Sequence, residues 1–421
     1  MPQRIYNTRS QKPDTLSPQD ANRVRMYVCG PTVYDLAHVG HARSYVFFDV
    51  VRRHLTSKGL EVLFQQNFSD IDEKITGKAL AQSRDPLRVA EDYISEFLAD
   101  MDLLRVERAT IYSRSSEHVG EIIATTRALL DAKAAYEVDG FVYFDHTKSK
   151  AFGTLTHQDI KSMIAREATD PTSRKRSLLD FALWQPPKPG DPAWDSPWGR
   201  GKPGWHLECF VMSREHLGHP LDIKGGGRDL IYPHHESEAA VCEVLTRKPY
   251  ARIWMHNGFV TLGDTKMSKS LHNFITVREA LSEHPPGALR AFLLSAPYRD
   301  ALAWTPEGLK AARVRYEKMV SDLARLRAWG ESLEAGEGPV LKPAQVPRRQ
   351  IADIEGQEAR FEKALDNDFD TPGALGAMEQ VLAIGVSVCK DQAFPEDARR
   401  VGASIALKAV LAMNETLQIV E

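Results

Sequence analysis

The sequence predicts an α/β protein in which an insertion interrupts a parallel sheet and an all-helical region follows it. Three observations support this prediction. Short apolar strands alternate with helical stretches up to about residue 114, the alternation resumes at Trp205, and the sequence is almost entirely helical from Thr305 onward. With 421 residues, 43% hydrophobic and 26% charged, the chain is long enough for two to four domains of an ordinary globular protein.

The first half contains a strand, a helix and a second strand in the order of a βαβ unit. An apolar run at 26–29 predicts the first strand, residues 45–56 the helix, and 62–64 the next strand. Between 84 and 114, apolar residues recur at spacings of three and four, which predicts a further helix. Residues 115–201 are less regular, with a strand expected at 141–145 and a loop rich in Pro and Trp at 185–203, and they are typical of an insertion.

The second half returns to the α/β pattern and then becomes helical. LDIKGGGRDL at 221–230 predicts a strand followed by a glycine turn. Thr305 and Pro306 predict the cap and first residue of a helix, and Asp370 to Pro372 begin another in the same way. Residues 331–350 have the glycines and prolines of a connector. The first of these helices carries one apolar stripe, formed by Tyr316, Met319, Leu323 and Leu326.

Composition excludes several classes of protein. Residues 1–25 are polar, and the first apolar run is too short for a signal peptide. No run approaches the roughly 18 apolar residues of a membrane span. The four cysteines form no CxxC pair, so we expect a cytoplasmic protein in a reducing compartment, with no membrane partner. A net charge of −3 argues against indiscriminate coating of nucleic acid, although it leaves room for a basic face.

Four side chains scattered along the sequence have the chemistry of a zinc site. His234 and Glu238 are four residues apart in a stretch with helical character, so both would face one point. Cys29 and Cys209 each end an apolar run, where a buried strand would bring a thiolate to the edge of a sheet. Thiolate, imidazole and carboxylate together suit zinc better than magnesium or calcium. The alternative is that both cysteines are ordinary buried residues.

Three neighbours of this set are expected to lie elsewhere. Cys242 comes four residues after Glu238, but its apolar neighbours favour packing within a helix. By helical spacing, His235 and Glu236 should point away from the metal, although either could support a ligand from behind.

Two short motifs point to phosphate chemistry. His38 and His41 belong to HVGH, which follows the first strand and begins the next helix, where amide groups favour an anion and imidazoles can donate to phosphate oxygens. Lys266 and Lys269 belong to KMSKS in a polar loop, where two ammonium groups can neutralise a triphosphate. Each motif alone could have no catalytic role: HVGH could be a structural pair of histidines, and KMSKS could be a solvated basic loop. Their occurrence together, in this order and about 225 residues apart, argues against coincidence.

With these motifs the chain resembles the class I aminoacyl-tRNA synthetases, and among them the cysteinyl family most closely. The resemblance runs from about residue 6 to the end and implies a Rossmann-like catalytic fold. The matching stretches are MYVCGPTVYDLAHVGHAR at 26–43, NFSDIDEKI at 67–75, LDFALWQPPKPGDPAWDSPWGRGKPGWHLEC at 179–209, DIKGGGRDLIYPHHESE at 222–238 and KMSKSLHNFITVREAL at 266–281.

The resemblance implies a recognition site for the amino acid. One Zn²⁺ per chain would take the thiol of the substrate L-cysteine, which separates it from serine without an editing step; a purely structural zinc is the alternative. The residues that match the family's ligands are Cys29, Cys209, His234 and Glu238. Gly30, Ser69 and Trp205 would shape the rest of the pocket, although Trp205 could equally be a core aromatic.

The resemblance also implies a site for ATP with Mg²⁺. His38 and His41 would contact the nucleotide, and Lys266 and Lys269 would hold its phosphates. The adenosine would lie near the end of the glycine-rich strand, at Gly225, Gly226, Gly227 and Asp229.

The implied domains and partners follow the same family. The catalytic domain would occupy 1–114 and 202–250, with a connective insertion at 115–201, a KMSKS-bearing linking domain at 251–304 and a tRNA-binding helical bundle at 305–421. The implied reaction joins L-cysteine to tRNA(Cys) by way of cysteinyl-adenylate, and we expect a monomer. The chain stops where many members continue into a small C-terminal domain that helps to read the anticodon, so anticodon recognition is expected to differ.

Two other functions are compatible with these motifs. One is the related ligase that joins activated cysteine to glucosaminyl-inositol in mycothiol synthesis, but GPTVYD at 30–35, HARSY at 41–45, KRSLLDFALW at 175–184 and NFITV at 273–277 are closer to the synthetase. The other is a non-catalytic tRNA-binding paralogue, against which the intact HVGH, KMSKS and ligand set argue.

Overall fold

A computed structural model describes residues 2–164, 174–263, 265–267, 273–330 and 347–421. The strands are β1 Arg4–Asn7, β2 Lys12–Thr15, β3 Arg23–Val28, β4 Glu61–Phe68, β5 Ile111–Arg114, β6 Ala135–Val138, β7 Phe141–Phe144, β8 Phe181–Gln185, β9 Lys202–Pro203, β10 Leu221–Gly227, β11 Ala251–Asn257, β12 Val260–Leu262, β13 Thr265–Lys266 and β14 Leu302–Ala303. The α-helices are α1 Val39–Ser57, α2 Glu73–Ala81, α3 Pro86–Leu103, α4 Val119–Asp131, α5 Ile160–Ile164, α6 Trp205–His216, α7 Glu236–Thr246, α8 Val277–Glu283, α9 Pro286–Leu293, α10 Pro306–Gly330, α11 Arg348–Asp366, α12 Thr371–Lys390 and α13 Glu396–Leu417.

The core of the catalytic half is a parallel sheet of five strands in the order β11-β10-β3-β4-β5. The chain moves from β3 to β4 in one direction, whereas β10 joins on the other side of β3. Strand order therefore reverses between β3 and β10, and in open parallel sheets the crevice at such a point, beyond the carboxyl ends of the strands, is where ligands bind. The predicted α/β fold with its βαβ start is confirmed, and Cys29 follows β3 as expected.

The insertion forms its own antiparallel sheet, in the order β6-β7-β8-β9. The strand predicted at 141–145 is β7, and the loop rich in Pro and Trp runs between β8 and β9. The Glu236 carboxylate at the start of α7 accepts hydrogen bonds from the amides of Leu155, at 3.1 Å, and Thr156, at 2.8 Å. These hydrogen bonds connect the insertion to the catalytic half. The boundaries of the domains given above stay predictions.

Helices α10 to α13 pack together as a bundle, and α13 also packs against α1. The predicted cap at Thr305 is present, since its hydroxyl accepts from the amide of Gly308 at 3.1 Å, and the Asp370 carboxylate caps α12 in the same way. Of the predicted stripe on α10, Met319, Leu323 and Leu326 are buried and Tyr316 is half-buried. The predicted connector falls mainly at 331–346, outside the described residues.

Helix α12 is apolar enough, over 20 residues, to pass a length and composition test for a membrane span. In the fold it packs against α10, α11 and α13, and 56% of its most apolar window is buried inside the protein. The composition of this helix is accounted for by its place in the bundle.

Two sequence predictions about local structure are wrong. Cys209 does not end a strand: it lies on α6, whose first turn begins directly after β9. The three glycines of 225–227 do not form a turn either, because they are the last residues of β10. A Cβ on Gly225 would lie 2.5 Å from the Phe48 ring, so this part of the strand has no side chain because α1 packs directly on it.

A buried carboxylate, that of Asp366, connects the bundle to the end of α1. Asp366 Oδ1 lies 3.0 Å from His54 Nε2 and 3.2 Å from Lys58 Nζ. Burial alone would raise the pKa of Asp366, but the bonds to His54 and Lys58 outweigh it, so the pKa is below its ordinary value.

The depressed pKa predicts a stability that depends on pH. Because the unfolded chain binds the Asp366 proton more tightly, the stabilisation is complete above the unfolded pKa of about 3.9 and is lost as pH falls through the folded value. We expect Asp366→Asn to lower the melting temperature at pH 7 and to differ less from wild type below about pH 4. Thermal unfolding at a series of pH values measures this. Asp92→Asn, which breaks an exposed pair with Arg84, is the matched control and should change little.

Candidate active site

A cavity of about 330 Å³ opens at the carboxyl ends of β3 and β10, at the reversal of strand order. Its walls include segments that are distant in sequence, from the start of α1 to the start of α6. Ten of the predicted site residues line it: Cys29, Gly30, His38, His41, Ser69, Trp205, Cys209, Gly227, Asp229 and His234.

The four predicted metal ligands meet at one end of this cavity. The ligand atoms of Cys29, Cys209, His234 and Glu238 all lie within 4.8 Å of one another, and all four residues are buried. The two Sγ atoms are 3.8 Å apart, while His234 Nε2 is 3.4 Å from Cys209 Sγ and 3.2 Å from Glu238 Oε1. Two sulfurs, a nitrogen and an oxygen in one buried cluster are a donor set that zinc accepts. The residues present therefore fit a Zn²⁺ ion.

Burial controls the ionisation of the candidate ligands. It lowers the pKa of His234 well below its usual value, so the imidazole is neutral and its lone pair can bind a cation. It raises the pKa of Cys209 well above the usual range, followed in size by the effect of Cys29. Burial also raises the pKa of Glu238, although Lys224 opposes that shift. A cation that binds here must displace protons from the thiols, so its affinity should rise with pH.

At the other side of the cavity, His38 and His41 cap the start of α1 reciprocally. His38 Nδ1 accepts from the amide of His41 at 3.2 Å, and His41 Nδ1 accepts from the amide of His38 at 3.4 Å. The rings stack with centroids 3.7 Å apart. Because both Nδ1 atoms are acceptors, each neutral ring carries its proton on Nε2. The Nε2–H groups of both rings thus belong to the N-terminal turn of a helix, an arrangement suited to phosphate oxygens.

The wall between these two groups is built from β3 and β4. The amide of Gly30 donates to Asn67 Oδ1 at 2.9 Å, and a Cβ on Gly30 would lie 1.5 Å from the Asn67 carbonyl oxygen. Ser69 is buried and donates to Glu208 at 3.3 Å, a carboxylate that also accepts from Ser115 at 2.6 Å. Only glycine fits at position 30, and the hydroxyl of Ser69 is fixed by a buried carboxylate.

Trp205 lies at the mouth of the cavity and is not a core aromatic. Its side chain is 39% exposed, and its ring stacks on His234 with centroids 4.5 Å apart at 18°. The ring therefore covers a candidate metal ligand from the cavity side.

Some predicted ATP-site residues lie elsewhere or cannot be placed. Gly225 packs on Phe48, and a Cβ on Gly226 would lie 3.0 Å from the His235 ring, so of the three glycines Gly227 alone lines the cavity, with Asp229 beside it. Lys266 lies in β13, next to the cavity residue Met267, and its side chain is outside the described part of the chain. Lys269 falls in 268–272, which is also outside it.

Comparison with known proteins agrees with this geometry. Residues 15–314 match the family described as tRNA synthetases class I (C) catalytic domain. The chain is 46% identical to the cysteine–tRNA ligase of Pelotomaculum thermopropionicum over 89% of its own length and 76% of that relative. It is 42% identical to the cysteine–tRNA ligase of Aquifex aeolicus, over 93% of this chain and 78% of the relative. The chain belongs to the class I cysteine–tRNA ligase family.

Solved structures of class I synthetases share the fold of this cysteine–tRNA ligase family member. Methionyl-tRNA synthetase of Mycobacterium tuberculosis bound by methionyl-adenylate superposes with a TM-score of 0.69 at 14% identity, covering 94% of this chain and 92% of that one. The leucyl enzyme of Agrobacterium radiobacter, in a ternary complex, gives 0.63 at 12% identity, covering 96% and 85%. The predicted fold class and enzyme class are confirmed.

Four polar residues surround the candidate metal cluster, and three of them, Lys224, His206 and His256, were not predicted from the sequence. Lys224 Nζ lies 3.2 Å from Cys29 Sγ and 2.9 Å from Glu238 Oε2. The other three are histidines that contact a ligand or each other: His206 with His234, His235 with Cys29, and His256 with His235. The sequence did contain a signal for Lys224. A lysine inside an otherwise apolar and glycine-rich strand indicates polar or charged partners nearby, because a buried ammonium needs them.

His235 does not point away from the cluster, but it contacts a ligand, as the sequence left open, whereas Glu236 points away as expected. His235 Nε2 lies 3.2 Å from Cys29 Sγ instead of pointing away from the cluster. Residues Ile231–His235 form a wide π-helical turn with an extended residue, Tyr232, inside it, so α-helical spacing does not apply there. Cys242 is buried on α7 and is not part of the cluster, as predicted.

Proposed function

We propose that this protein activates L-cysteine with Mg-ATP and transfers it to the 3′ end of tRNA(Cys), and that a Zn²⁺ ion selects the cysteine thiol. One observation supports this most directly. The cluster of Cys29, Cys209 and His234 opens on the same cavity as the His38 and His41 pair, so a small amino acid could touch both. A thiol-binding group and a phosphate-binding group in one cavity are what cysteine activation requires.

The donor set favours recognition through a thiol. When bound, Zn²⁺ would supply a Lewis acid that holds sulfur as thiolate far better than it holds a serine hydroxyl. Cys29, Cys209, His234 and Glu238 would hold it, and Trp205 would close the cavity over His234. Glycine at position 30 lets the chain beside Cys29 pack directly against the Asn67 backbone.

In the first step, a carboxylate oxygen of cysteine attacks the α-phosphorus of ATP, and the bond to the β-phosphate oxygen breaks to release pyrophosphate. The Nε2–H groups of His38 and His41, at the N-terminus of α1, would donate to the phosphate oxygens as charge develops on them. Lys266 and Lys269 would neutralise the leaving pyrophosphate. Asp229 would accept from the ribose hydroxyls.

In the second step, the terminal ribose hydroxyl of the tRNA attacks the activated carbonyl, and AMP leaves. No nucleophile from the protein is needed. The role of the chain is to position both reactants and to exclude water.

Cysteine-dependent exchange of pyrophosphate into ATP, with zinc counted in the purified protein, tests the first step. One zinc per chain and exchange with cysteine but not with serine are the expected results. Equal exchange with serine, or unchanged exchange after the metal is removed, would show that thiol selection by zinc is wrong.

Acceptor choice needs a separate assay. Charging of tRNA(Cys) with labelled cysteine is compared with coupling to glucosaminyl-inositol, using the same preparation. We expect charging of the tRNA alone. Coupling to the amino sugar would assign the related ligase activity, and exchange without either product would contradict the proposed transfer.

Glycine at position 30 gives a sharp prediction within this site. We expect Gly30→Ala to raise the KM for cysteine by at least about tenfold, because the new methyl overlaps the Asn67 carbonyl and must push β3 and Cys29 out of place. Initial rates of pyrophosphate exchange measure this. Gly356→Ala, on α11 with open space around its Cβ, is the control and should leave the KM unchanged. A wild-type KM for Gly30→Ala would contradict the fit.

A further inference from the structure

Lys224 is a charged residue on an interior strand of the parallel sheet. It lies on β10, between β11 and β3, and its side chain is fully buried. A buried ammonium costs several kcal/mol unless its hydrogen atoms are bonded. Here all three of its donors can be used, on Cys29 Sγ at 3.2 Å, on Glu238 and on the Tyr250 hydroxyl at 3.4 Å.

The ammonium contacts ligands from behind the cluster. Glu238 Oε1 lies 3.2 Å from both His234 Nε2 and Lys224 Nζ, and Oε2 lies 2.9 Å from Nζ. Nζ also lies 4.1 Å from the centroid of the Tyr27 ring, whose face attracts a cation. The ammonium thus contacts both oxygens of the carboxylate that faces His234.

Without Lys224, the charges of the four ligands and a bound Zn²⁺ ion do not sum to zero. Two thiolates and a carboxylate carry three negative charges against two positive charges on Zn²⁺, so the loaded cluster has a net charge of one negative unit. That charge would be buried, since all four ligand residues are buried. The Lys224 ammonium supplies the missing positive charge at hydrogen-bond distance from two of the anionic ligands.

The geometry points to Lys224 as a positioning residue that neutralises the loaded metal cluster and orients Cys29 and Glu238 toward the ion. This inference rests on the proposed function, because it concerns the same metal site. A second consequence follows from the hydrogen bond to Cys29. A sulfur that accepts a hydrogen bond gives less charge to the metal, which leaves the ion a stronger Lewis acid for an incoming thiol.

The test uses Zn²⁺ alone, without cysteine or ATP, and competes it against a chromophoric chelator. We expect Lys224→Met to weaken Zn²⁺ binding by about 10- to 100-fold, the range typical for groups that support metal ligands. In a Glu238→Gln background the cluster has no excess negative charge and only the contact with Cys29 remains, so adding Lys224→Met should weaken binding less than it does in the wild type. Equal losses in both backgrounds would overturn the inference, as would wild-type affinity in Lys224→Met.

The absorption spectrum of the metal site distinguishes a positioning role of Lys224 from a purely structural role. In the Co²⁺-substituted protein, loss of the hydrogen bond to Cys29 raises the energy of the sulfur electrons, so the sulfur-to-cobalt absorption should shift to longer wavelength in Lys224→Met. An unshifted band contradicts the predicted contact. The control is Lys202→Met, which removes another buried lysine, paired with Asp191 at 2.7 Å in the insertion. It should lower stability and leave Zn²⁺ affinity unchanged.

The outcomes distinguish this inference from the proposed function. If the wild-type protein binds neither Zn²⁺ nor Co²⁺, both are wrong. If the wild type binds metal and selects cysteine while Lys224→Met behaves as wild type, only the role of Lys224 is wrong.

Discussion

Replacing Cys209 by serine should abolish the bound metal and reduce kcat/KM for cysteine activation by at least about 1,000-fold, which corresponds to about 4 kcal/mol. Cys209 Sγ lies at the centre of the cluster, 3.8 Å from Cys29 Sγ and 3.4 Å from His234 Nε2. A serine hydroxyl is a much poorer ligand for zinc than a thiolate. Metal content and the pyrophosphate exchange rate, measured on one preparation, give both quantities.

A second buried cysteine provides the matched control for this substitution. Cys242 lies on α7 close to the cluster in sequence, but its sulfur contacts Thr246 and the carbonyl of Lys248. Cys242→Ser should keep the metal and most of the activity. If Cys209→Ser retained zinc and full exchange, the proposed site would be excluded.

Removing the guanidinium of Arg290 should cost about 3–5 kcal/mol of folding free energy, the range found when one partner of a buried ion pair is deleted. Arg290 on α9 is fully buried. It donates to Asp49 on α1 at 2.8 Å and to the carbonyls of Leu104, at 2.8 Å, and Leu417, at 3.0 Å. It therefore joins the catalytic half to the end of the helical bundle, and Arg290→Met leaves the Asp49 carboxylate buried with a partner missing.

Chemical denaturation of Arg290→Met beside wild type measures this loss. Arg23→Met is the control, because Arg23 pairs with Glu61 at 2.9 Å where both side chains are exposed. An exposed pair contributes less than about 1 kcal/mol. A loss of similar size in the two variants would contradict the assigned role of Arg290.

The sequence was sufficient to predict the parts of the site that depend on spacing along one element. Glu238 lies in the first turn of α7, His234 lies in the π-helical turn just before it, and HVGH begins α1, so short separations along the chain bring each pair together. Cys209 was assigned to the right cluster but to a strand instead of α6. A short apolar run has the same appearance in a buried helix as in a strand, and the three-dimensional neighbours decide between them.

The contacts that sequence reasoning missed are those made across the sheet. Lys224 reaches Cys29 only because β10 pairs with β3, although 195 positions separate them in the chain. His235 contacts the same sulfur because the turn before α7 is wider than an α-helix. Neither strand pairing nor local widening has a signature in residue spacing, so the sequence does not show which ligand each of these two side chains contacts.

The distribution of the four ligands along the chain has a consequence for biosynthesis. Cys29 leaves the ribosome early, whereas Glu238 follows more than 200 positions later, after the whole insertion has been made. Until α7 has emerged and β10 has paired with β3, no complete binding site exists on the growing polypeptide. A metal ion that needs all four ligands would therefore bind only after these segments have come together, and it could not seed the folding of the earlier part of the chain.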